Sequence, residues 1–129
     1  MKVHIKNIET RNVLSMDEAE LRIRMGQTVY TENVQSQRGV GKTTLLAKIA
    51  RDMETTLIVY NRFVAYDLRI HHPGVHIIPI SEIESLRGRY PLGTHILIDE
   101  SSKINQESIV DHLYAAGYTC GGFQIDYYL

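Results

Sequence analysis

Cys120 is the only cysteine, which excludes an internal disulfide and suits a reducing, cytoplasmic compartment. Charge of either sign is not in excess: 14 Lys and Arg against 15 Asp and Glu leave a formal net charge of −1. No cationic field is present that would by itself argue for duplex DNA or a lipid surface. Long apolar runs are missing as well. No stretch approaches the roughly 18 residues of a spanning helix, and Met1–Asn7 has no apolar core of the kind a secretion signal needs. The expectation is a cytoplasmic protein with no membrane partner. Repeats and low-complexity tracts are absent, and the 3 prolines, Pro73, Pro79 and Pro91, fall where loops should join short elements. What remains is a chain of 129 residues, 43% apolar and 22% charged, the profile of a single globular domain. Such a chain can bury about two-thirds of its unfolded surface without disulfide or metal staples.

Residues 1–26 read as an N-terminal extension. Ser15 and Glu18 have the spacing of a capping box and Gly26 can stop a helix begun at Met16, although Leu21–Met25 also alternates as a strand would. From residue 28 the pattern is strand, helix, strand. Thr28–Val34 is a strand, polar at Glu32 and Asn33. Leu45, Leu46, Ile49, Ala50 and Met53 mark an amphipathic helix from Lys42 to Met53, and Leu57–Tyr60 is a short apolar strand. Phe63–Arg69 is a short helix, His71–Gly74 a turn, and Val75–Ile80 a third strand. Ser81 and Glu84 form a second capping-box pattern, opening a helix that Gly88 closes. His95–Asp99 is a buried strand, Asn105 caps a helix to Ala116, and Phe123–Tyr128 is a last strand. Strands alternating with helices imply an α/β fold with a mostly parallel sheet covered on both sides.

Between the first of these strands and its helix lies Ser36-Gln37-Arg38-Gly39-Val40-Gly41-Lys42-Thr43-Thr44. Binding a phosphate through the main chain needs several N–H groups turned toward one point, and Gly39 and Gly41 permit the dihedrals that do this. The helix starting near Lys42 aims its positive dipole end there too. Lys42 can reach terminal phosphate oxygens, and the Thr43 hydroxyl can ligate Mg²⁺. Farther on, Ile96-Leu97-Ile98-Asp99-Glu100 is an apolar strand ending in two carboxylates. In a parallel sheet that end lies on the same edge as the glycine loop. Asp99 would hold a Mg²⁺-bound water, and Glu100 would orient and polarise an attacking water as general base.

Together, Gly39-Val40-Gly41-Lys42-Thr43-Thr44 and Ile96-Leu97-Ile98-Asp99-Glu100 resemble the Walker A and Walker B motifs of P-loop NTPases. Ser36 stands where the family has its first glycine. The adjacent Glu100 is similar to the branch with a catalytic glutamate, which includes RecA-like, AAA+ and helicase ATPases; viral terminases, whose Walker A often lacks that glycine, are similar too. The resemblance covers residues 28 to about 128 and implies a three-layer α/β/α sandwich with a RecA-like sheet. In that plan the strand after the acidic one, here Phe123–Tyr128, inserts between the two motif strands. It implies ATP and Mg²⁺ bound by Ser36, Arg38, Gly39, Val40, Gly41, Lys42, Thr43, Thr44 and Asp99, with Lys42 and Glu100 catalytic. Taken as a whole protein, the chain would be a minimal ATPase core. A homo-oligomer or a partner protein would supply any arginine in trans; coupling to DNA follows from family analogy alone.

Other residues carry weaker signals. Arg87 and Arg89 flank Gly88 and could reach a neighbour's γ-phosphate, or simply be solvated. Gln124 is a candidate sensor. His71, His72 and His76 form a tract that a turn explains better than a metal. Tyr127 and Tyr128 would pack in a strand or stack on single-stranded nucleic acid, and Cys120 reads as a small buried hydrophobe. Two other functions fit the same loop: a small-molecule phosphotransferase, and an interaction module that binds nucleotide without hydrolysing it.

Overall fold

The computed structural model describes residues 5–8, 10, 12–32, 41–99 and 103–126, with backbone alone at 32, 103–107, 125 and 126. These form one seven-stranded sheet in the order β2-β1-β3-β7-β6-β4-β5. The strands are β1 (Ile5–Lys6), β2 (Val13–Leu14), β3 (Thr28–Glu32), β4 (Thr56–Val59), β5 (His76–Pro79), β6 (His95–Ile98) and β7 (Thr119–Asp126). β3 through β7 pair in parallel, while β1 runs antiparallel to both β2 and β3. The helices are α1 (Met16–Arg24), α2 (Lys42–Asp52), α3 (Arg62–His71) and α4 (Lys103–Ala115), with a 3-10 helix over Ile80–Leu86.

Side-chain alternation along the strands builds a core on each face. Val29, Leu57, Val59, Ile77, Leu97 and Phe123 meet Ala19 and Ile23 of α1, Leu46 and Ile49 of α2 and Ala65 of α3. Their neighbours Ile58, Ile78, Ile96, Ile98 and Cys120 meet Leu86 and Ile109 and Leu113 of α4. The fold is therefore α/β, a mostly parallel sheet flanked by helices on both faces, compatible with a three-layer sandwich. β7 lies between β3 and β6, with Tyr30 opposite Gln124 and Ile98 opposite Gly122.

The N-terminal capping box forms in full: Ser15 Oγ accepts from Glu18 N at 3.1 Å, and Ser15 N donates to Glu18 Oε1 at 3.3 Å. Helix therefore prevails over strand at Leu21–Met25. Arg24 pairs with Glu20 one turn back on α1 at 2.9 Å and joins α1 to Asp52 of α2 at 2.8 Å, holding the Asp52 carboxyl below its usual range. The extension is part of the sheet, because β1 and β2 add two short antiparallel strands beside β3.

Three expectations need correction. The second capping box is not made: the 3-10 helix starts at Ile80 with Pro79 before it, so Ser81 is already inside the first turn and cannot cap it. Asn105 lies inside α4, which begins at Lys103. β7 begins at Thr119, four positions earlier than Phe123, because Thr119 and Cys120 already pair with β6.

Candidate functional site

Lys42, Thr43 and Thr44 open α2, and the residue before them, Gly41, has φ +94 and ψ 1. That left-handed conformation strains any L side chain, and among the described residues no side chain caps the first turn of α2, glycine having none to offer. The Gly41 carbonyl takes the first helical bond, from Leu45 N at 2.9 Å.

Lys42 is 4% exposed, and its Nζ donates to Thr31 Oγ1 on β3 at 2.9 Å. Thr43 Oγ1 donates to Asp99 Oδ2 at 2.9 Å across 56 positions of sequence. Alternation explains why Asp99 is the partner: Leu97 faces α2, and Asp99, two residues on, keeps that side. Its N–H donates to Ile58 O at 2.9 Å, which continues the ladder toward β4 beyond the end of β6. A buried ammonium, a hydroxyl and a carboxylate are thus gathered at the carboxyl ends of β3 and β6. Thr44 is exposed on the same turn. Ser36, Arg38, Gly39, Val40 and Glu100 lie outside the described residues, as do Tyr127 and Tyr128.

No protein-family model, curated protein or solved structure matches this chain. Its chemistry has to be argued from its own side chains. Thr43 Oγ1 and Asp99 Oδ2 are hard oxygen donors side by side, the type that Mg²⁺ takes. Thr31 was not singled out by sequence reasoning; its signal was a hydroxyl two residues after Val29, on the strand face that α2 covers.

The other candidates disperse. Arg87 and Arg89 precede β6 and so lie at the opposite edge from their own chain's Asp99; Arg87 approaches Glu84 at 3.9 Å and Arg89 stands over the Tyr90 ring at 5.8 Å. Gln124 shares the alternation of Cys120 and lies on the α4 face, away from α2. His71 Nδ1 pairs with the Asp67 carbonyl at 2.9 Å, whereas His76 Nδ1 meets Thr56 Oγ1 at 2.7 Å, so the two rings have separate partners. Among the described residues, no three His, Cys, Asp or Glu side chains gather as a metal site. Cys120 is buried, which pushes its thiol up to about 12. A cavity of about 380 Å³ lined by Arg22, Gln27, Thr28, Tyr114 and Cys120 opens near the starts of β3 and β7, away from Lys42. No helix among the described residues is long and apolar enough to cross a membrane.

Proposed function

We propose that this chain is a RecA-like P-loop NTPase core that binds ATP with Mg²⁺ and hydrolyses it. The observation that carries the reading is the 2.9 Å hydrogen bond from Thr43 to Asp99, which joins the two motif segments at one sheet edge. The left-handed Gly41, which brings no side chain of its own to cap α2, and the place of β7 between β3 and β6 support it.

Thr43 and Asp99 are the residues that would hold Mg²⁺, which supplies neutralisation of phosphate charge. Main-chain amides from Ser36 to Thr44, with Arg38, Gly39 and Val40 contributing, cradle the phosphates. The Lys42 ammonium exchanges Thr31 Oγ1 for a terminal phosphate oxygen. Glu100 takes a proton from water as that water's oxygen bonds to the γ-phosphorus, and the bond to the bridging oxygen breaks to release ADP and phosphate. Any arginine finger comes from another subunit or a partner.

Calorimetric titration with ATP and Mg²⁺, together with a phosphate-release assay, tests this. Lys42→Ala should weaken binding by about 100-fold or more, and Glu100→Gln should bind ATP but stop turnover. Hydrolysis unaffected by either change refutes the reading. Phosphate passed to an added small acceptor would make the protein a phosphotransferase instead, and tight binding without turnover would make it a nucleotide-gated interaction module.

A further inference from the structure

Helix α3 is apolar on two sides. Its inner side buries Ala65 and packs Leu68 on the core. Its outer side carries Phe63 at 85% exposed and Tyr66 at 68%, with Ile70 beside them and Tyr60 exposed just ahead of the helix. Phe63, Tyr66 and Ile70 follow the i, i+3, i+7 spacing of a single stripe, broken only by Asp67. Exposed apolar side chains grouped along one helix in this way mark an interaction site, unlike a single exposed residue such as Leu92.

A smaller counterpart lies on the opposite flank. α1 points Ala19 and Ile23 inward, and leaves Leu21 (62%) and Met25 exposed one turn apart, with Asp17 and Glu18 exposed in the first turn. Both helices cover the same face of the sheet, with α2 between them: α1 rests on β3 and β7, and α3 on the edge strand β5. α1 leads into β3 and α3 follows β4, so both begin at the carboxyl edge of the sheet. Arg62 opens α3 where Asp17 opens α1, which sets a cation and an anion at matching heights on the two flanks.

We propose that the α3 stripe of one molecule docks on the α1 stripe of a second copy of this chain, and the reverse, with Arg62 facing the second copy's acidic first turn. Both stripes look out from the same face of the sheet, so a twofold axis sets each molecule's α3 on the other's α1 and the contact closes as a dimer. The inference does not depend on the nucleotide reading.

Sedimentation velocity across about a hundredfold range of protein concentration tests it. The wild type should rise above monomer mass with concentration. Phe63→Ser with Ile70→Ser, and separately Leu21→Ser with Met25→Ser, should each give monomers; circular dichroism and thermal melts check that both remain folded, as exposed positions allow. Mixing these two variants should form pairs and stop there, because each retains the face the other has lost. Arg62→Glu should weaken assembly about tenfold, and adding Asp17→Arg should restore it. A wild type that stays monomeric throughout overturns the proposal. So does an α1 variant that still dimerises, which would mean α3 pairs with itself, or a mixture that stays monomeric. So too does an α3 variant that assembles normally but loses binding to a single-stranded oligonucleotide.

Discussion

At the carboxyl edge of the sheet, Thr31 and Thr43 hold charged partners, Lys42 and Asp99. At the amino edge, Thr56 and Thr119 hold rings and a phenol: Thr56 meets His76 at 2.7 Å and Tyr90 at 2.6 Å, and Thr119 meets His95. The amino-edge network then closes on the main chain, because Tyr118 OH accepts from Tyr90 N at 3.1 Å and donates to Leu86 O at 2.6 Å. Hydroxyls satisfied by other side chains and, through Tyr118, by the main chain stiffen a fold at little desolvation cost. A buried ammonium costs several kcal/mol to take out of water, and a core built for stability alone is better served by apolar groups. The contrast teaches that the amino edge is built to hold the sheet together, while the carboxyl edge keeps a buried charge for which the proposed function, and not stability, gives a reason.

The largest expected effect removes both edges together. Gly122 has φ +142, and a Cβ there would overlap the Ile98 carbonyl oxygen of the neighbouring strand. Gly122→Ala should cost about 3 kcal/mol or more, since β7 would be pushed off β6. A thermal melt within a few degrees of wild type would show that the β6–β7 pairing tolerates a spacing the structure does not have.

Next come changes that should separate the edges. Thr43→Val and Asp99→Asn should each lower Mg²⁺-dependent ATP affinity by about 10- to 100-fold, with little loss of thermal stability. The double variant should lose far less than the sum of the two, because the side chains are in direct contact. Full additivity in a titration series would mean that the two do not share a cation.

Tyr118→Phe should do the reverse. It strips the Leu86 carbonyl and the Tyr90 N–H of their phenolic partner and should cost about 1–3 kcal/mol in denaturant unfolding. ATP affinity should stay at the wild-type value. A loss of affinity comparable to the loss of stability would erase the division between edges.

Sequence patterns reached the carboxyl edge more readily than the amino edge, and the reason is locality. The glycine, lysine and threonine of the first segment sit side by side, so their joint chemistry is visible without a fold. Asp99 needed only the rule that parallel strands end on a common edge. Thr31, Thr56 and Tyr118 gave no such sign, because each acts through a partner between 11 and 34 positions away. The hairpin of β1 and β2 was missed because two residues per strand carry no period. In sequence, Arg87 and Arg89 read only as reaching a neighbour's γ-phosphate or as solvated; β6 runs between them and Asp99, which sets them at the opposite edge of their own chain.

The smallest expected effect is a pH dependence confined to the amino edge. Burial first, then the positive charge of Arg89 and Arg69, push the His76 imidazole below its ordinary value of 6.5, against a weaker pull from Glu82. Neutral His76 accepting at Nδ1 lets Thr56 donate to it while accepting from Tyr90. A protonated ring has no acceptor to offer, so the chain of hydroxyls would have to reverse. As pH falls, the unfolded chain takes up its proton near 6.5 and the folded one resists. The stability contributed by His76 is therefore complete above that value, is lost as pH falls toward the lower folded value, and levels off beneath it. Melting curves between about pH 7.5 and pH 5 should fall more steeply for wild type than for His76→Asn. ATP affinity should differ equally little between the two across that window. A wild-type slope no steeper than the variant's would mean that the ring takes its proton as freely in the fold as out of it, and that the amino edge is wetter than its hydrogen bonds imply.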